Sequence, residues 1–292
     1  CWLANPDKIN YFDLLDRIPT ASWGGCVEAR PDPYDVTDDE PTTDPRRKFV
    51  PYFWPDEYGK KGEKTDYANN YMDDGVAPAG WDPIGEWGML NILKYNSVST
   101  PSPLTNLLGP NKGCPDELMR LSNDKGKLLA KIDSLTVGDQ TGTISSEGVA
   151  WGWRVLTPKK PFADGLPYDK SKKFLVLMSD GESDIGANNI YGPVLSKYTA
   201  YGYLRYNRSG EDNFQSMAKY LDDRLTKVCT NAKAAGVTVM TVYFRDNNAS
   251  AKNLMKQCAT SGMYFYEAVD ATALNNAFQK IAAEIGKLRS TK

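Results

Sequence analysis

A chain of 292 residues, 41% hydrophobic and 25% charged, has the composition of a packed water-soluble fold and the length of one large domain or two small ones. A formal net charge of −2 leaves no basic field for nucleic acid, and the absence of histidine counts against Ser-His-Asp, Cys-His and imidazole-zinc chemistry together. No run reaches the roughly 18 apolar residues of a spanning helix, and the start at Cys1-Trp2-Leu3 lacks the charged opening and apolar run of a signal peptide, so any targeting segment is expected upstream.

In chain order, residues 1–114 read as a loop-rich aromatic insertion. Turn chemistry recurs at Asp32-Pro33, Asp74-Gly75 and Gly109-Pro110, while Trp23, Tyr52, Phe53, Trp54, Tyr71 and Trp81 carry enough apolar area to order it. From 115 to 292 helix and strand alternate. Leu118, Leu121, Leu128, Leu129, Ile132 and Leu135 fall at helical spacing after Pro115 and before Gly138, which predicts one amphipathic helix. A second helix is predicted from Ser145 to Leu156, ahead of Pro158. Three β-rich runs follow, from Phe174 to Met178, Val237 to Phe244 and Met263 to Val269. The first ends in Ser179-Asp180-Gly181 and suits a strand buried on both faces. Helices carrying Cys229 and Cys258 lie between the strands, and a last helix runs from Ala271 to about Leu288. The alternation predicts an α/β doubly wound, mostly parallel sheet, whose ligands bind beyond the carboxyl ends of the strands, where Asp180 lies.

The five cysteines show no CxxC spacing, so disulfides are preferred over a zinc or redox site. Cys229 and Cys258 flank one apolar strand and could be bridged, closing a loop of about 30 residues that contributes roughly 3–4 kcal/mol. Cys26 and Cys114 would then pair across the loop-rich region and leave Cys1 over, to be lipidated, paired upstream or free. Five free thiols in a cytosolic protein are the alternative.

Several stretches are long and distinctive: Trp23-Gly24-Gly25-Cys26-Val27-Glu28-Ala29-Arg30-Pro31, Phe49-Val50-Pro51-Tyr52-Phe53-Trp54-Pro55-Asp56-Glu57, Gly109-Pro110-Asn111-Lys112-Gly113-Cys114, Gly148-Val149-Ala150-Trp151-Gly152-Trp153-Arg154-Val155-Leu156 and Val176-Leu177-Met178-Ser179-Asp180-Gly181-Glu182. Through them the chain resembles the TadG-like proteins of tight-adherence (Flp-type) pilus systems, whose C-terminal part is a von Willebrand factor A (vWA) domain. The resemblance implies a vWA-like sheet and a metal-ion-dependent adhesion site for Mg²⁺ or another divalent cation, with an open position for a partner's carboxylate. Asp180 matches the third-loop aspartate of that site, and Thr143 the second-loop threonine, with Thr141 its competitor. The first-loop Asp-x-Ser-x-Ser is absent. The resemblance therefore implies that the chain begins inside the domain, that its sheet lacks the first, central strand unless another segment or chain supplies one, and that Asp180 and Thr143 alone hold a cation poorly.

Each candidate has a plainer reading. Asp180 could be a turn residue, and Glu182 and Asp184 solvated charges. Trp151 and Trp153 are expected in the core. The tyrosines Tyr191, Tyr198, Tyr201, Tyr203 and Tyr206 suit either partner recognition, with Tyr201, Tyr203 and Glu182 as contacts, or a packed lid. The expected function is a secreted, non-enzymatic component of pilus assembly and adhesion in the bacterial periplasm or at the cell surface. Its expected partners are pilin or other surface proteins, and possibly the missing N-terminal segment. The alternatives are a lipid-anchored or soluble periplasmic scaffold outside any pilus and a metal-dependent hydrolase.

Overall fold

A computed structural model describes residues 10–57, 69–73, 92–97, 104–105, 107–136, 142–180, 183–185, 194–244 and 248–290. Its centre is a parallel sheet of β1 (Lys173–Ser179), β2 (Val237–Phe244) and β3 (Phe265–Ala268) in the order β1-β2-β3. β1 is in register with β2 from Lys173 opposite Val237 to Ser179 opposite Tyr243. Parallel neighbours need long crossovers. Here these are helical: α4 (Phe214–Ala234) joins β1 to β2, and α5 (Ala249–Cys258) joins β2 to β3.

Helices cover both faces of the sheet, as a doubly wound fold requires. On one face Leu175, Val237 and Val239 share a core with Val149, Ala150 and Trp153 of α3 (Ser145–Leu156) and with Leu225, Val228 and Ala232 of α4. On the other, Met240, Val242 and Ala268 pack against Ala277 and Ile281 of α6 (Ala271–Ser290). The alternation of Val-Thr-Val-Met-Thr-Val-Tyr-Phe in β2 thus serves two apolar faces, and only Thr238 and Phe244 are not fully buried.

Two expectations need correction. The Phe174–Met178 run was expected to be buried on both faces, yet Val176 and Met178 stay 37% and 49% exposed. The reason is position: among the described residues β1 is an edge strand, and the residues clustered with α6 belong mainly to β2 and β3. The first amphipathic helix is also shorter than its spacing suggests. Only Lys125–Asp133 (α2) is helical, starting behind Asp124, whose side chain caps the Lys127 amide. Leu118 and Leu121 meet no core, so nothing offsets the entropy of winding residues 115–124.

The loop-rich region is ordered by its aromatics. Tyr11, Leu14 and Leu15 of α1 (Tyr11–Asp16) form a buried cluster with Ile18, Phe53, Tyr71, Met72, Ile92 and Tyr95. It is not sealed off from the rest: Val36 enters the α3–α4 core, and buried Arg154 of α3 donates to the carbonyls of Tyr34, Asp35 and Thr37. Disulfides join Cys26 to Cys114 and Cys229 to Cys258, with Cα separations of 5.9 and 5.1 Å. The second ties α4 to α5 inside the core, where both cysteines are buried.

Candidate functional site

Two loops meet beyond the carboxyl end of β1. Thr143 and Asp184 form an antiparallel bridge in which the Asp184 amide donates to the Thr143 carbonyl at 2.9 Å. The approach depends on Gly142: a Cβ there would lie 1.8 Å from the Asp184 carbonyl oxygen, inside any permitted contact. Any larger residue at 142 therefore pushes the loops apart. The side chains of Thr143, Asp180 and Asp184 stand exposed along this rim, and the Ser179 hydroxyl lies 3.4 Å from an Asp180 carboxylate oxygen. Behind it, α3 begins with buried Ser145 and Ser146.

The structure thus joins the Thr143 loop to the loop that Asp180 opens. Thr141 and Glu182 lie outside the described residues. Among the described residues no group of three histidine, cysteine or acidic side chains gathers closely enough to hold a metal ion. One carboxylate and one hydroxyl, from Asp180 and Thr143, fall short of the six or so oxygens that Mg²⁺ demands.

Tyr201 and Tyr203, expected as partner contacts, are only 6% and 1% exposed and offer a partner almost no ring surface. Carboxylates from the loop-rich region hold them inside. The Tyr201 hydroxyl donates to Asp35 at 2.9 Å, and the Tyr203 hydroxyl to Glu57 at 2.5 Å. Tyr198 donates to Glu28, which also pairs with Arg208 at 2.7 Å. The segment is a packed lid, and Tyr191 lies outside the described residues. Trp153 is core, its indole N–H donating to the Tyr168 hydroxyl. Trp151 is partly exposed and packs on Phe49 with ring centres 4.9 Å apart.

The residues that organise this wall were not singled out one by one in the sequence. Glu57 takes hydrogen bonds from Tyr203, the Trp54 indole and the Asn69 amide. Arg224 of α4 makes a two-pronged pair with Asp35 and a further bond to Asp32. Of these, Glu28, Glu57 and Trp54 sit in the distinctive stretches, but nothing in their spacing shows which aromatic each will meet.

Burial pushes the carboxyls of Glu28 and Glu57 above the usual range. The Arg208 charge pulls Glu28 part of the way back, and the hydrogen bond from Tyr203 does so for Glu57. The folded form therefore holds these protons more tightly than the unfolded chain. Their contribution is full below the unfolded carboxylate range and is lost as pH rises through the folded values. The thermal midpoint is expected to fall as pH rises above the unfolded carboxylate range, and Glu57→Gln to flatten that slope. A midpoint that climbs instead, or a slope that Glu57→Gln leaves unchanged, would refute this assignment.

No family model matches the chain, and no curated protein matches it. Among solved structures it is similar to the pilus adhesin SpaC from Lactobacillus rhamnosus GG: 16% identity over 57% of this chain and 22% of that one, TM-score 0.38. A second structure of that adhesin, in its open conformation, gives 14% identity, the same coverage and a TM-score of 0.36. The chain spans about a fifth of that adhesin's length, and likenesses this loose assign neither its fold nor its function.

Proposed function

We propose that this chain is a non-enzymatic, exported component of a tight-adherence pilus, built on a vWA-like sheet that engages protein partners at the carboxyl end of β1. The observation that carries the reading is the joining of the Thr143 loop to the Asp180 loop through the Asp184–Thr143 hydrogen bond. It gathers exposed hydroxyl and carboxylate oxygens where ligands of such sheets bind. Two disulfides support export, since such bonds persist in oxidising compartments. A divalent cation belongs to this proposal only if further oxygen ligands join Asp180 and Thr143.

The test is co-purification of native protein with pilin subunits from envelope fractions, beside the variants Asp180→Ala and Thr143→Ala. Pilin is expected with the native chain, and the variants are expected to lose most of it while keeping their thermal midpoints. Recovery of envelope proteins without pilin would replace the pilus reading with a scaffold. Undiminished binding by both variants would move the site away from this rim.

A further inference from the structure

We propose that the exposed aromatic pair Phe12 and Trp23 is a second anchor for a protein partner, and that the partner segment carries an apolar side chain beside a lysine or arginine. The two rings meet edge to face with centres 5.7 Å apart, yet they remain 46% and 42% exposed. Tyr11, one residue before Phe12, is buried in the aromatic cluster of the loop-rich region. The pair therefore stands on packed ground and turns its own rings outward.

Trp23 is held from both sides. The Asn111 side chain accepts from the Gly24 amide at 2.9 Å and donates to the Ser22 carbonyl at 2.8 Å, which brackets Trp23 between its two neighbours. The bracket requires glycine at 24, where a Cβ would lie 2.8 Å from Asn111 Cγ and Oδ1. The indole N–H donates to the Cys26 carbonyl at 2.6 Å, and Cys26 is bonded to Cys114. The distinctive stretches that begin at Trp23 and at Gly109 thus converge on one exposed ring. Phe12 is fixed by its helix, whose Tyr11, Leu14 and Leu15 are buried. Rings held in this way lose little freedom on binding, and tryptophan so placed dominates the energy of protein interfaces.

The surroundings select the partner. Polar groups on α1 and around Trp23 are already engaged: the indole N–H and the Asn111 amide as above, the Asp13 carboxylate with the Asn10 amide, and the Arg17 guanidinium with Asn96 at 2.6 Å. A glycan's hydroxyls would find few donors or acceptors there, and a polar group that loses water without a replacement bond is costly. An aliphatic or aromatic side chain needs no such bond. Asp16 stands exposed one helical turn after Phe12, on the same side of α1, and Asp13 is exposed next to Phe12. These carboxylates repel an anionic membrane surface and favour a cationic group beside the apolar one.

Selection from a random peptide library displayed on phage tests this on the full chain. The native protein should enrich peptides that combine Leu, Met or Phe with Lys or Arg. A synthetic copy of the most enriched peptide should lose at least roughly tenfold in affinity on Trp23→Ala, and likewise on Phe12→Ser. The Phe12 side chain makes no hydrogen bond, so Phe12→Ser keeps the fold whatever Trp23→Ala does to the turn. Asp16→Lys should weaken the same peptide roughly fivefold, and exchanging the peptide's basic residues for Glu should recover its affinity for that variant. Failure to enrich peptides of this composition overturns the proposal, as do affinities that neither ring variant moves. Binding to a glycan array or to phosphatidylglycerol vesicles that depends on Trp23, in place of peptide binding, overturns it in favour of those ligands. The pilin co-purification changes other residues and reads another ligand, so either experiment can fail without the other.

Discussion

Replacing Asp35 by alanine should cost about 3–5 kcal/mol of folding stability, because it removes the buried counter-ion of a buried guanidinium and leaves it only the solvent-exposed Asp32. Arg224 is 1% exposed, and Asp35 meets it with both carboxylate oxygens. One of those oxygens also takes the Tyr201 hydroxyl. A single truncation therefore strands a charge on α4 and a hydroxyl in the lid. Asp32 reaches the same guanidinium, but its side chain is 65% exposed, so Asp32→Ala should cost under about 1 kcal/mol. Urea unfolding of the two variants measures the difference. Replacing Asp35 and Arg224 together by apolar residues of similar volume should recover much of the loss, as removal of both partners relieves the stranded charge. If Asp35→Ala unfolds within about 1 kcal/mol of the native chain, the pair is not the clamp described.

The clamp marks the boundary of what could be read from the chain. The sheet was legible because β2 is a run of β-branched and apolar residues, and α3 because its apolar positions recur at helical spacing and stop before Pro158. Such signals are local. The failure at residues 115–124 has the same root: spacing shows that one face is apolar, not that a surface exists to receive it. The helix begins instead at Asp124, whose side chain caps the Lys127 amide. The lid was illegible for another reason. Tyr198 meets Glu28 across a separation of 170 residues, and Tyr203 meets Glu57 across 146. No periodicity records such contacts, so the tyrosines could be read equally as recognition or packing. For the rim, the resemblance pointed to Thr143 and Asp180. That Gly142 alone permits the approach to Asp184 emerges only from the backbone geometry.

The two disulfides should separate under reduction. Cys26 and Cys114 are partly exposed, whereas Cys229 and Cys258 are buried in the core, and exchange requires a thiolate to reach a sulfur. Dithiothreitol under native conditions should therefore open Cys26–Cys114 first, with alkylation confined to those two positions. The consequence is large. The 88-residue separation corresponds to about 4–5 kcal/mol of loop-closure entropy, against about 3–4 kcal/mol for the 29 residues between Cys229 and Cys258. The loss should fall on the loop-rich region, whose turns have no sheet beneath them, while the α3–α4 core keeps its own cross-link. Near-ultraviolet circular dichroism, rich in the aromatics of residues 11–95, should collapse at reductant levels that leave the helical signal largely in place. Opening of Cys229–Cys258 at the same rate, or loss of both signals together, would mean that the aromatic region and the sheet unfold as one unit.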